Sequence, residues 1–115
     1  MLETHNWKLV SDSTLSDAAA IVGARHGHSA VVYDSCMWVC GGMSALQCKQ
    51  DLWRWRFDSR VWVKVKCKQT VPELAHHSAV VVKNFMVVYG GDKCDQNSAL
   101  QLFDFGDYDL TFSWF

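Results

Sequence analysis

"GHSAVVYDSCMWVCGG", residues 27–42, is answered further down the chain by "HHSAVVVKNFMVVYGG", residues 76–91. Laid together without a gap, nine of the sixteen positions are identical: His28/His77, Ser29/Ser78, Ala30/Ala79, Val31/Val80, Val32/Val81, Met37/Met86, Val39/Val88, Gly41/Gly90 and Gly42/Gly91. Each copy holds two short runs of Val and aromatic residues, the side chains that favour extended backbone. Polar pairs, Asp34-Ser35 and Lys83-Asn84, separate the runs and predict a turn. Each copy is therefore expected to be a β-hairpin whose second strand ends in Gly-Gly, a pair that tolerates positive φ and close backbone approach. The strands are apolar almost throughout, which predicts cover on both faces. An isolated hairpin cannot supply that.

A third strand follows each hairpin. "DLWRWRFD" (51–58) alternates strictly, placing Trp53, Trp55 and Phe57 on one face and Arg54 and Arg56 on the other, read as one packed and one solvated face. "ALQLFDFG" (99–106) sets Leu100, Leu102 and Asp104 against Gln101, Phe103 and Phe105. "VWVKVK" (61–66), led by Trp62, reads as a fourth strand, and "FSWF" reaches the matching Trp114 at the end of the sequence. "HNWKLV" (5–10) reads as a fourth strand without three strands before it.

Four antiparallel strands in about 50 residues is the period of one β-propeller blade. The closing Gly41-Gly42 and Gly90-Gly91, the aromatic third strands and the Trp62 and Trp114 positions resemble the kelch-repeat family. That resemblance implies an all-β fold of kelch-type blades, two blades or a partial propeller. Its expected divisions are residues 1–10 as the orphan fourth strand of a preceding or closing blade, 11–65 as the first repeat, and 66–115 as a second repeat truncated in its fourth strand. Two departures stand out. Trp55 and Phe103 occupy the third-strand position where the family has Tyr, and the stretch from Phe105 to Trp114 is longer than that from Phe57 to Trp62. Propellers close with about four to eight blades, so the expectation is a piece of a larger propeller, or self-association that completes one.

Composition narrows the function. The 115 residues carry 11 Lys and Arg against 12 Asp and Glu, scattered rather than blocked, which argues against a nucleic-acid binder. Apolar runs fall short of a membrane span, and the first ten residues lack the basic start and apolar block of a signal peptide. Five cysteines, an odd number, and no Asn-x-Ser/Thr site favour reduced thiols in the cytoplasm over a secreted disulfide framework.

Cys36 and Cys40 replace Phe85 and Tyr89 of the second copy and read as small core residues. Cys48, Cys67 and Cys94 fall in connections at one end of the blades, together with His26 and His76, and these five are the candidate partner-binding end face. They form no Cys-x-x-Cys pair, so neither a metal nor another cofactor is expected. His28 and His77 open the first strand of each copy in register, which suits a structural hydrogen bond better than a catalytic role. No phosphate loop or nucleophile elbow appears, and no catalytic residue is expected.

The kelch resemblance implies a non-catalytic platform that binds other proteins, such as an adaptor or the substrate receptor of a ubiquitin ligase. Residues 11–26, 43–50, 66–76 and 92–98, which vary between the copies while the strands repeat, would form its recognition end. The alternatives are a truncated product without a function of its own, or a propeller-based enzyme.

Overall fold

Alternating β-formers and two-residue polar turns produce the strands where the repeat puts them. The computed structural model of the protein describes residues 5–10, 22–67, 69–91, 100–107 and 112–114. β1 (Ser29–Tyr33) and β2 (Cys36–Cys40) form the first hairpin, and β3 (Met43–Ser44) and β4 (Gln47–Cys48) a small flap beyond it. β5 (Leu52–Arg56) and β6 (Trp62–Lys64) complete an antiparallel sheet in the order β1-β2-β5-β6. The second sheet repeats the pattern with β7 (His77–Val82), β8 (Phe85–Gly90), β9 (Leu100–Asp104) and β10 (Phe112–Trp114), all neighbours antiparallel. Asp34 and Ser35 both take positive φ (52° and 58°), the conformation that tight two-residue hairpin turns demand.

The two sheets pack face against face in the same sense. The first sheet contributes Val31, Cys36, Trp38, Cys40 and Leu52 to the core, and the second contributes Met86, Val88, Phe103 and Phe105. Val65, Val71 and Leu74, from the connection between the sheets, close the core. Aromatic rings fill the centre, with Trp38 4.8 Å from Phe105 and Tyr33 stacked on Phe105 at 4.1 Å between centroids. Trp38 also donates from its indole nitrogen to the Tyr33 carbonyl at 3.0 Å, which satisfies its one polar atom.

The pairing register shows which positions correspond. Trp38 stands across from Arg54 as Val87 does from Leu102, and Met37 from Trp55 as Met86 from Phe103. Trp62 pairs with Trp55, whereas Phe103, the counterpart of Trp55, pairs with Phe112. Trp114 therefore stands two residues beyond the position of Trp62, across from Gln101. The expected equivalence of Trp62 and Trp114 does not hold in register, because the longer connection after Phe105 begins with a 3-10 turn, Phe105–Asp107.

Three other expectations meet a different geometry. Cover on both faces is incomplete among the described residues: Val80, Val82, Tyr89 and Leu100 are exposed on the outer face of the second sheet, and Ala30 and Val32 on that of the first. In β5 the Trp face is buried although it points away from the second sheet, whereas Arg54 and Arg56 lie on the side of Trp38 and are half-buried. The Arg54 guanidinium sits 5.9 Å from the Trp38 ring, so this face is a cation–π contact at the margin of the seam rather than a free solvated face. Residues 5–10 form no strand, and Trp7 is fully exposed. Among the described residues no third strand offers this segment an edge, since β6 and β10 already occupy the outer edges of β5 and β9.

Candidate functional site

Backbone hydrogen bonds stitch the connections of both sheets together at one end of the molecule. His26 and Met43 exchange bonds of 3.0 and 2.8 Å, joining the segment before β1 to the flap. The Gly42 amide donates to Leu74 O at 2.7 Å, and the His76 amide donates to Gly27 O at 2.7 Å, crossing from one repeat to the other. Gln50 adds a side-chain bond to Val71 O at 3.2 Å.

The glycine pair makes this approach possible. Gly41 has φ +67°, and a Cβ there would lie 2.5 Å from Leu74 O; Gly42 has φ +99°, and a Cβ would lie 2.9 Å from His26 O. Only glycine combines that conformation with that clearance. The second copy matches half of this: a Cβ on Gly91 would lie 3.0 Å from Ala75 O, but one on Gly90 would meet nothing within 4 Å. Gly41 faces the following sheet, and Gly90 faces open space.

An ion pair holds the same end from beneath. Arg25 donates from both terminal nitrogens to the Asp51 carboxylate, at 2.6 and 3.0 Å, and to the carbonyls of Gly41 (2.9 Å) and Val22 (2.5 Å). The Arg25 side chain is only 3% exposed and that of Asp51 12%, so this is an interior fork rather than a surface pair. Trp53 donates its indole N–H to the same carboxylate at 2.8 Å. Burial alone would raise the Asp51 pKa, but the Arg25 and Trp53 bonds outweigh it and hold the group below its ordinary 3.8. The pair escapes the repeat comparison: the counterparts of Arg25 and Asp51 in the second copy are Leu74 and Ala99. Its one sequence signal is charge just outside two strand ends.

Four of the five histidines gather at this end. The exposed rings of His26 and His76 lie 6.0 Å apart, tilted at 44°. Gly27 leaves room for this, because a Cβ there would come within 2.9 Å of the His76 ring. His77 behaves differently. Half-buried, it brings its Nε2 within 2.8 Å of Ser29 Oγ across the seam. Burial, then His28 and His76 nearby, lowers its pKa from 6.5. Its in-register counterpart His28 is exposed.

The cysteines divide otherwise than expected. Cys36 and Cys40 are buried free thiols, as a core reading requires. Cys67 forms no disulfide and is half-buried, packed against the core, since the connection carrying it turns Val65 and Val71 inward. Burial, with Asp51 and Cys67 close by, pushes the Cys40 thiol up to about 12. Cys48 is disulfide-bonded, which corrects the expectation of reduced thiols throughout. Cys94 lies outside the described residues, as do 11–21 and 92–98 of the variable connections. Of the five candidate residues, the structure brings His26 and His76 together on the surface and leaves Cys67 half-buried against the core. Among the described residues no three His, Cys, Asp or Glu side chains converge as a metal site would need, and no helix is long and apolar enough to cross a membrane.

Comparison with known proteins agrees with this architecture. The KLHDC2/KLHL20/DRC7 Kelch-repeats domain family matches residues 1–114. The chain belongs to the kelch-repeat family. It is 32% identical over 97 residues to the Leucine-zipper-like transcriptional regulator 1 homolog of Drosophila melanogaster, covering 83% of this chain and 9% of that protein. It is 27% identical over 90 residues to Kelch domain-containing protein 10 of Rattus norvegicus, 78% of this chain and 22% of the relative. Ras guanine nucleotide exchange factor F of Dictyostelium discoideum is 36% identical over 108 residues, 92% of this kelch chain and 9% of that protein. The chain thus spans less than a quarter of the length of these relatives. Each sheet is one kelch blade: all-β, four-stranded and antiparallel.

Proposed function

We propose that this kelch chain is a non-catalytic protein-binding module whose recognition surface is the stitched end of the two blades. The supporting observation is the pairing of His26 and His76 at the blade junction, where connections from both repeats are locked by backbone bonds. Connections held this way present side chains with little ordering left to lose on binding, which favours affinity. The connections differ in sequence between the repeats while the strand faces repeat, as expected of a variable reader on a constant scaffold. Kelch domains generally bind proteins, and the finer reading is a substrate-recognition or adaptor module, of the sort a ubiquitin ligase employs as its receptor. Cys67, half-buried and packed against the core, and Cys48, committed to a disulfide, contribute less to this reading than the histidines do.

We place the chain in the cytoplasm on Cys36, Cys40 and Cys67, which form no disulfide among the described residues. A Cys48 disulfide that persists in protein isolated from cells under thiol-blocking conditions would overturn that placement.

The test is a selection of displayed peptides against the purified chain, followed by affinity measurement on His26→Glu and His76→Glu. Selected peptides are expected to lose at least tenfold in affinity on either substitution, and to bind Val82→Ser, at the far sheet face, as they bind the unaltered chain. Peptides indifferent to both histidine substitutions would refute the assignment of the surface.

A further inference from the structure

The two blades share one sheet face more strictly than the other. The face that the second blade turns toward the first carries His77, Ala79, Val81, Met86 and Val88, and it forms the established seam. The in-register residues of the first blade are His28, Ala30, Val32, Met37 and Val39: the same five residues in the same order. On this outer face Val32 is 63% exposed, with His28 and Ala30 exposed beside it, whereas Met37 is half-buried and Val39 buried. Beside them an open groove of about 270 Å³ is lined by Met37, Val39 and Trp62 together with Val22 and Arg25. The opposite faces correspond likewise. Val31, Trp38 and Leu52 receive the second blade, and their counterparts Val80, Val87 and Leu100 face outward, Val80 at 57% exposure.

Among the described residues both halves of the seam therefore recur on the outer sides, each with exposed positions in its edge strand. We propose that copies of this chain associate head to tail, the His28–Val39 face of one copy seating on the Val80–Leu100 face of the next. The seam already present supplies the geometry. Where His77 meets Ser29 inside one chain, His28 of one copy meets Ser78 of the other, both now exposed. Where Leu74 O fills the space over Gly41, the space over Gly90 is open to the corresponding connection of the next copy. Such a contact is heterologous, using two different patches, so it builds a ring if the rotation closes. Blade counts of about four to eight make that ring two to four copies. The inference goes beyond the end-face reading and does not depend on it, because peptide recognition and assembly involve different surfaces.

Two exposed positions allow a test that leaves the fold in place. Light scattering of the unaltered chain at micromolar concentration should give two, three or four times the 13.1 kDa of one chain. Val32→Glu and Val80→Glu should each shift the mass to a monomer while keeping a β-sheet circular dichroism spectrum. Mixed together, the two variants should form a one-to-one dimer and nothing larger, since one retains the donor face and the other the acceptor face. If either variant loses its spectrum, Ala30→Glu or Val82→Glu, both at exposed positions, takes its place. A monomeric unaltered chain would overturn the proposal. So would a dimer that only Val80→Glu disrupts, which means the open faces pair with each other.

Discussion

His77, the first residue of the second blade, and Ser29, the first residue of β1, meet across the seam with 2.8 Å between Nε2 and Oγ. This bond ties the two inner strands at the end where the connections are stitched. It also couples the seam to pH. The folded-state pKa of His77 lies below the 6.5 of the free side chain, through burial first and the neighbouring His28 and His76 second. The unfolded chain then binds the proton more readily than the folded one, so stability rises with pH across this range. The contribution is complete above about 6.5 and is lost as pH falls through the lower folded value. His77→Gln keeps a hydrogen-bonding side chain and removes the titration. Thermal melts between neutral and mildly acid pH should show a smaller drop in Tm for this variant than for the unaltered chain; parallel drops would assign the acid sensitivity elsewhere.

The repeated glycines should not respond alike. Gly41→Ala combines a left-handed backbone with a Cβ 2.5 Å from Leu74 O, and should cost about 3 kcal/mol or more. Gly90→Ala has the strained φ of +88° but no neighbour within 4 Å, and should cost about 1 kcal/mol. Urea unfolding of both variants at a concentration where the chain is monomeric checks this. Equal losses would mean that clearance at the seam plays no part.

Arg25→Lys should be nearly as damaging as Arg25→Ala. A lysine cannot reach two carboxylate oxygens and two carbonyls at once, because it lacks the planar fork. Both variants leave Asp51 poorly compensated in the interior, with a loss of about 2–3 kcal/mol by denaturant titration. In the unaltered chain Asp51 titrates below 3.8, so its contribution is present above that value and lost as pH falls below it. A lysine variant as stable as the unaltered chain would show that the fork is dispensable.

Thiol reactivity should rank Cys36, Cys40 and Cys67 by burial. Cys67, half-buried, should react with a maleimide in the native state, whereas Cys36 and Cys40 should react only on unfolding. Cys40 is the extreme case, since a thiol held at about 12 carries almost no thiolate at neutral pH. Mass spectrometry after timed labelling distinguishes the sites, and early modification of Cys40 would contradict the packing described for β2.

What could be read from the residues was what the chain writes twice. Val and aromatic runs, polar pairs at the turns and the Gly-Gly endings determine local structure, and both hairpins and third strands form at those positions. The exposed pairing of His26 with His76 also follows from placing the connections at one end. The Arg25–Asp51 fork could not be found that way, because it occurs in only one repeat and depends on a contact 26 positions apart. The half-burial of Cys67 is hidden for a related reason: it is decided by Val65, Val71 and Leu74 turning the connection into the core, which no strand periodicity records. Trp114 shows the limit of spacing as a guide, since a 3-10 turn ahead of β10 puts Phe112 where Trp62 stands in the first blade.

The central claim is that the two repeats are consecutive blades sharing one aromatic core. Proton–proton Overhauser contacts between the Trp38 indole and the rings of Phe103 and Phe105 test it most directly, as those centroids lie 6.0 and 4.8 Å away in different repeats. The account predicts strong contacts from Trp38 to Phe105 and weaker ones to Phe103, persisting in the monomeric Val80→Glu variant. Two intact hairpins with no contact between Trp38 and either phenylalanine would contradict it.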